Sequence, residues 1–372
     1  MITIKTEELN AICNKVLYAL DTNGLSSITE TLELILEDNV LHMQITNREY
    51  FLKIKLDTGT NEDFHATVNA EVFLKLIPKF TTELISMDIE KNCLIVIGNG
   101  EYKLPMIYED ANLLELPEIT IDNETNSFNI KGSILNSIHT FNSKQLAGKT
   151  VMSPLQTLYY VDKNGAITFT SGACVNDFEL EQDVKLLLNQ KLVKLFKLFK
   201  DEDVKFTIGQ DAVAGTSQTQ TKVKFESDDI ELTAILPSND ADIAKFPAQV
   251  IRSRATKSYV NHIIINRLEM LQAINRLSIF SEGSTALNRN YFKFEFDTDK
   301  VILYDVTGNN FEEIFYANST SISEKYVATL DFTDVKSILE VATAEFLNFE
   351  FGDHQAIVCT QDNIHNVIPE VE

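Results

Sequence analysis

The sequence predicts an α+β protein made of three tandem copies of one domain, each holding two helices and roughly eight strands. Two recurring landmarks and one length argument lead there. A short alternating strand running into an apolar-periodic helix opens each third: Ile2-Thr3-Ile4-Lys5, Phe128-Asn129-Ile130-Lys131 and Ile263-Ile264-Ile265-Asn266. An apolar residue followed by proline closes each third, at Leu104-Pro105, Leu236-Pro237 and Ile368-Pro369. The 372 residues then divide into pieces of about 124, enough for three separate cores.

In the first third, Leu9 and Ile12 set the helical period of residues 7–20. Residues 31–36, 40–46, 50–56 and 84–89 read as strands, with Asp57-Thr58-Gly59 as a turn. A helix over 70–80 starts after Asn69, whose side chain can cap the first turn, and Asn189 and Asp331 precede helices over 189–200 and 331–344 in the same way. Helices over 131–144 and 266–281 follow the second and third opening strands. Residues 118–126 and 238–261 read as connections, which places the domains at 1–122, 123–251 and 252–372.

The net charge is −23, from 32 basic and 55 acidic residues, which taken alone argues against nucleic acid. The distribution says otherwise. The six predicted helices carry twelve basic and seven acidic residues, so they are positive while the remainder is strongly negative. Lys191, Lys194 and Lys197, at i, i+3 and i+6, share one side of an amphipathic stretch whose other side is Leu, Val and Phe. Basic helices in an acidic chain point to one polyanion-facing surface. An acidic repeat scaffold that binds only proteins is the alternative, and it has no need of such helices.

Enzyme and metal signatures are weak. Gly148-Lys149-Thr150 resembles the end of a phosphate-binding loop, but Ser143 stands where its first glycine belongs. The six histidines lack metal-ligand spacing, and Asp297-Thr298-Asp299 reads as a hairpin turn. No catalytic, metal or cofactor site is expected. Cys13, Cys93, Cys174 and Cys359 stand far apart without a C-x-x-C pair, and no apolar run approaches the ~20 residues of a membrane span. A reduced, cytoplasmic setting is expected.

The pattern resembles the bacterial DNA polymerase III beta subunit, the sliding clamp, over essentially the whole chain. The string Thr170-Ser171-Gly172-Ala173-Cys174-Val175 matches the family's Thr-Asp-Gly-His-Arg-Leu at Thr, Gly and the apolar last position. Phe246-Pro247 with the run to Ile251-Arg252, and the C-terminal Val367-Ile368-Pro369, resemble two further family strings. The tail Glu370-Val371-Glu372 departs from the bacterial ending and points to a phage or mobile-element member.

The resemblance implies a head-to-tail homodimer ring with helices inside, encircling duplex DNA without reading its sequence and tethering polymerase and clamp loader through short peptides. Twelve helices spaced ~10 Å apart would leave a hole about 28 Å wide. It assigns Lys15, Lys79, Lys131, Lys191, Lys194, Lys197, Arg267, Arg276 and Lys336 to the DNA-facing surface. It places Leu155, Thr170, Gly172, Ala173, Cys174, Val175, Pro247, Ile251, Arg252, Val367, Ile368 and Pro369 in a peptide groove between the second and third domains. It puts Tyr102 and Leu104 of one chain against Ile279 and Phe280 of the other.

Overall fold

The computed structural model describes residues 1–21, 26–59, 63–146, 152–213, 215–237, 240–282, 290–317, 321–322 and 324–371. Gly148-Lys149-Thr150 lies outside them. One order of elements occurs three times. The first set is β1 (Ile2–Lys5), α1 (Thr6–Leu17), β2 (Thr31–Glu37), β3 (Val40–Thr46), β4 (Tyr50–Asp57), β5 (Phe64–Asn69), α2 (Ala70–Leu76), β6 (Leu84–Glu90), β7 (Cys93–Ile97) and β8 (Glu101–Pro105). A small hairpin, β9 (Tyr108–Glu109) and β10 (Asn112–Leu113), follows.

The second set is β11 (Glu124–Lys131), α3 (Gly132–Ser137), β12 (Leu158–Asp162), β13 (Gly165–Phe169), β14 (Ala173–Asp177), β15 (Lys185–Asn189), α4 (Gln190–Leu195), β16 (Asp203–Ala212), β17 (Thr219–Glu226) and β18 (Ile230–Ile235). Two helices, α5 (Asp240–Lys245) and α6 (Ala248–Ala255), come next. The third set is β19 (Asn261–Asn266), α7 (Arg267–Glu282), β20 (Tyr291–Phe296), β21 (Lys300–Tyr304), β22 (Phe311–Phe315), β23 (Tyr326–Asp331), α8 (Phe332–Val341), β24 (Phe346–Phe351), β25 (Ala356–Gln361) and β26 (Ile364–Pro369).

The opening strands, the six helices and the hairpin turn at Asp297 lie where the sequence predicts them. Asn69 and Asp331 accept the backbone N–H groups of Val72 and Thr333, capping α2 and α8. The segment 238–261 is different from the expected plain connection, because it holds α5 and α6. Between the chain's opening and its end, no helix among the described residues is long and apolar enough to cross a membrane.

The chain forms two compact units that do not follow the three repeats. Unit 1 is residues 1–135 with 191–239, and unit 2 is residues 136–190 with 240–372. Each contains one eight-stranded and one four-stranded antiparallel sheet. Unit 1 has β11-β16-β17-β18-β4-β3-β2-β5 and β1-β6-β7-β8; unit 2 has β15-β12-β13-β14-β26-β25-β24-β19 and β22-β21-β20-β23. The long sheets arise because strands of different repeats pair edge to edge. Ile230–Ala234 of β18 register with Ile54–Tyr50 of β4, and Ala173–Asn176 of β14 with Val367–Ile364 of β26.

Buried and half-buried carboxylates fasten the connections. Glu33, 2% exposed, accepts the Leu116 N–H and lies 2.8 Å from His65 Nε2. Asp211 accepts the Asp122 and Asn123 N–H groups and pairs with Lys222 at 2.8 Å, while Lys222 also donates to the Thr120 carbonyl. In unit 2, Asp162 holds Arg252 of α6 at 2.8 Å, and Asp353 holds both Arg254 and Lys257. Such pairs inside a sheet edge stabilise by direction as well as charge.

Asp353 makes this testable by pH. Burial alone would raise its carboxyl, but hydrogen bonds from Lys257 and the Gln355 N–H, with the Arg254 charge, outweigh burial and hold it at about 2. A depressed carboxyl contributes stability above its unfolded value of 3.8 and loses it as pH falls through about 2. Asp353→Asn should lose about 1–2 kcal/mol at neutral pH and show a flatter stability profile between pH 4 and 2. Thermal unfolding of both proteins across that range measures it.

Candidate partner groove and basic helix faces

The groove residues fall within unit 2, and alternation along the strands sorts them. Ala173 and Val175 of β14 and Val367 of β26 face one apolar cluster with Tyr160, Ile167 and Phe246, against which Leu155, Phe169 and Ile251 are partly buried. Cys174 and Ile368 point the other way. Cys174 is fully buried, its thiol pushed up by burial, and its carbonyl accepts the Asn142 side-chain N–H. Ile368 packs in the core of the third repeat. These two are therefore not groove-lining side chains, because consecutive residues of a strand cannot share a face. Arg252 is also directed elsewhere, onto Asp162.

What is left is a buried apolar floor of Ala173, Val175 and Val367, bordered by half-buried Leu155, Thr170, Pro247, Ile251 and Pro369. Gly172 is required by close packing: a Cβ there would lie 2.5 Å from the Val367 carbonyl oxygen. Two supports escaped the sequence reading. Ser153 and Gln156 form a capping box on the 3₁₀ turn Pro154–Thr157 that carries Leu155, and Gln156 also donates to the Thr170 carbonyl at 3.2 Å. Phe246 fills the cluster's centre, stacked on Tyr160 and edge-on to Phe169. The S-x-x-Q spacing was the available signal for the first.

The basic positions are less free than a count over helices suggests. Lys15 pairs with Asp229 at 2.5 Å, Lys131 with Asp203 at 2.6 Å, and Lys191 with Asp21 and Glu49 at 3.3 and 3.6 Å. Arg276 makes a two-pronged bond to Glu312 of β22, and Arg267 donates to the Leu339 carbonyl. The Lys197 ammonium sits 3.3 Å from the centre of the Tyr18 ring; burial, then Lys194, lowers its pKa. Lys79, Lys194 and Lys336 have no ion pair among the described residues. Lys79 and Lys194 are exposed.

At the candidate dimer residues, Tyr102 of β8 is 41% exposed and rests edge-on against Phe80. Leu104 is only 5% exposed and belongs to its own core, so it is not a surface contact in the free chain. Ile279 and Phe280 on α7 are 64% and 53% exposed. The sequence reading missed Phe311 and Phe315, each 59% exposed on β22, the edge strand against which α7 packs.

Three repeated sets of elements joined by strand pairing, with an apolar cluster beside the β14–β26 joint in unit 2, define the architecture. The fold is that of the bacterial DNA polymerase III beta subunit. The Thermotoga maritima beta subunit matches 100% of this chain and 99% of its own at a TM-score of 0.80 and 14% identity. The Borrelia burgdorferi subunit, solved with a natural product, gives 0.80 at 13% over 100% and 98%, and the Bacillus subtilis sliding clamp 0.77 at 15% over the same shares. In sequence, the beta sliding clamp of Mycoplasmopsis pulmonis is 25% identical over 130 residues, which span 34% of this chain and only 33% of that relative. No family model matches.

Gly172→Ala should force the Val367 carbonyl aside and cost about 1–3 kcal/mol, read as a lower unfolding midpoint in urea. Gln156→Ala, by contrast, should loosen the Leu155 turn with less than about 1.5 kcal/mol lost. Increased protease cleavage near 152–157 would register the local change.

Proposed function

We propose that two copies of this chain close head to tail into a ring around duplex DNA, a non-catalytic processivity factor that tethers polymerase and clamp loader through short peptides in the groove. The observation carrying this reading is a correspondence of edges. β8, β18 and β26 hold the same place in the three repeats, as do β4, β14 and β22. β18 pairs with β4 and β26 with β14, which leaves β8 and β22 as the two members of the series that, among the described residues, pair with no strand of another repeat. Pairing β8 of one copy with β22 of another repeats the same joint, and a heterologous joint of this kind makes a ring when the rotation closes. The repeats would then fall at 1–122, 123–251 and 252–372.

Retention by a ring is topological, so strong phosphate binding is unnecessary and would slow sliding. The ion pairing of Lys15, Lys131, Lys191 and Arg276 fits that need, since few cations are left to grip the backbone. The acidic remainder of the chain repels DNA from other surfaces.

Phe311→Asp with Phe315→Asp should halve the mass in sedimentation without changing the circular dichroism spectrum, because both side chains are exposed in the free chain. Unchanged dimers would remove this joint. Wild-type protein loaded onto nicked circular DNA should be retained through gel filtration and released when the circle is cut. Lys79→Glu with Lys194→Glu should reduce loading, while either change alone should have little effect, as each exposed contact is weak.

A further inference from the structure

We propose that unit 1 binds an organic cation with an apolar stem, in a pocket on one face of its long sheet beside residues 115–118. The pocket has a volume of about 880 Å³, within the usual ~300–1,000 Å³ of a ligand site. Strand register builds its floor. Glu33 of β2 lies opposite Gln44 of β3, and Gln44 opposite Lys53 of β4, so the three side chains form one row on the same face. Ile35 and His42 form the next row, while Leu34 and Met43 between the rows point the other way, into the core. All the lining lies between residues 33 and 118, so the proposal needs neither the ring nor the peptide groove.

Two polar groups in this floor lack partners. Gln44 is only 7% exposed, lines the pocket, and makes no side-chain hydrogen bond among the described residues. An unpaired buried amide is costly, and a donor from a ligand on its carbonyl relieves that cost. His42 Nδ1 is likewise buried without a partner. Burial, then Lys53 and Lys55, hold the imidazole below its usual range, so it stands neutral and can accept a hydrogen bond. Glu33 is already committed to His65 and the Leu116 N–H, and it shapes the wall.

Charge selects the occupant. The described lining holds six carboxylates and one lysine. Glu37, Glu115 and Glu118 are exposed and have no ion pair among the described residues. The carboxylates are spread out: no three metal-ligating side chains among the described residues converge to hold an ion. That spacing suits a long cation better than a compact metal. Half-buried Ile35 offers apolar surface to its stem while the charged heads reach the carboxylates. A free polyamine and the lysine or arginine side chains of a peptide share this chemistry.

Calorimetry on the full-length protein at physiological salt, with spermidine and with N-acetyl-Arg-Gly-Lys amide as probes, tests this. One saturable site per chain is expected for at least one probe; binding of spermidine alone identifies a free polyamine, and binding of the peptide alone a side chain. Gln44→Leu should weaken that binding about tenfold with an unchanged circular dichroism spectrum. Glu37→Gln with Glu118→Gln should weaken it about fivefold, and both residues are exposed, so that variant keeps its fold. Glu340→Gln with Glu345→Gln removes two exposed charges from unit 2 and should change nothing. No saturable binding of either probe, indifference to Gln44→Leu or to the Glu37 and Glu118 changes, or displacement by magnesium chloride at equal concentration would overturn the proposal. Equal weakening by the unit 2 pair would mean diffuse attraction to an acidic chain and overturn it as well.

Discussion

Backbone pairing between the edges of sheets is the constraint on which the rest of this molecule depends. A sheet edge presents a row of unsatisfied N–H and C=O groups, and covering it with another strand removes both the desolvation problem and a site of aggregation. Here the cover for β4 comes from β18 and the cover for β14 from β26, each from another repeat. That is why the compact units cut through the second repeat. The candidate groove depends on the same joint, since Ala173, Val175 and Val367 of its apolar cluster lie on the meeting strands β14 and β26. Gly172 permits the approach at the start of that contact.

Most of the fold was legible because local and global signals agree. Strand alternation and the closing proline recur three times and side-chain caps twice, at Asn69 and Asp331, so even weak landmarks reinforce one another. α6 was hidden because Ala248–Ala255 reads AQVIRSRA: two of the three residues of its inward stripe, Ala248, Ile251 and Ala255, are small alanines, while the larger Val250 is exposed. It is held from outside, by Arg252 on Asp162 and Arg254 on Asp353, and such long-range partners leave no local pattern.

The site was legible as a set of strings and misread at the level of faces. Taking Ala173-Cys174-Val175 and Val367-Ile368-Pro369 as blocks assigns to the groove two side chains that the pleat turns away from it, Ile368 into the core of the third set and Cys174 into a fully buried position. The charge count failed for a related reason. Adding lysines over helices treats secondary structure as location, but Asp229, Asp203, Asp21 and Glu312 reach those lysines and arginines from loops and strands. Local net charge depends on neighbours in space, which sequence order does not give.

The pairing of β4 with β18 has a consequence for synthesis on the ribosome. Its partners, Tyr50–Ile54 and Ile230–Ala234, are separated by about 180 residues. At translation speeds of ~5–20 residues per second, the edge of β4 waits roughly 10–35 s for its cover to emerge. Lys53 and Lys55 alternate with apolar residues along that edge, and their charges oppose pairing with the wrong strand meanwhile. The nascent chain is thus guarded by the same two lysines for as long as its first sheet is unfinished.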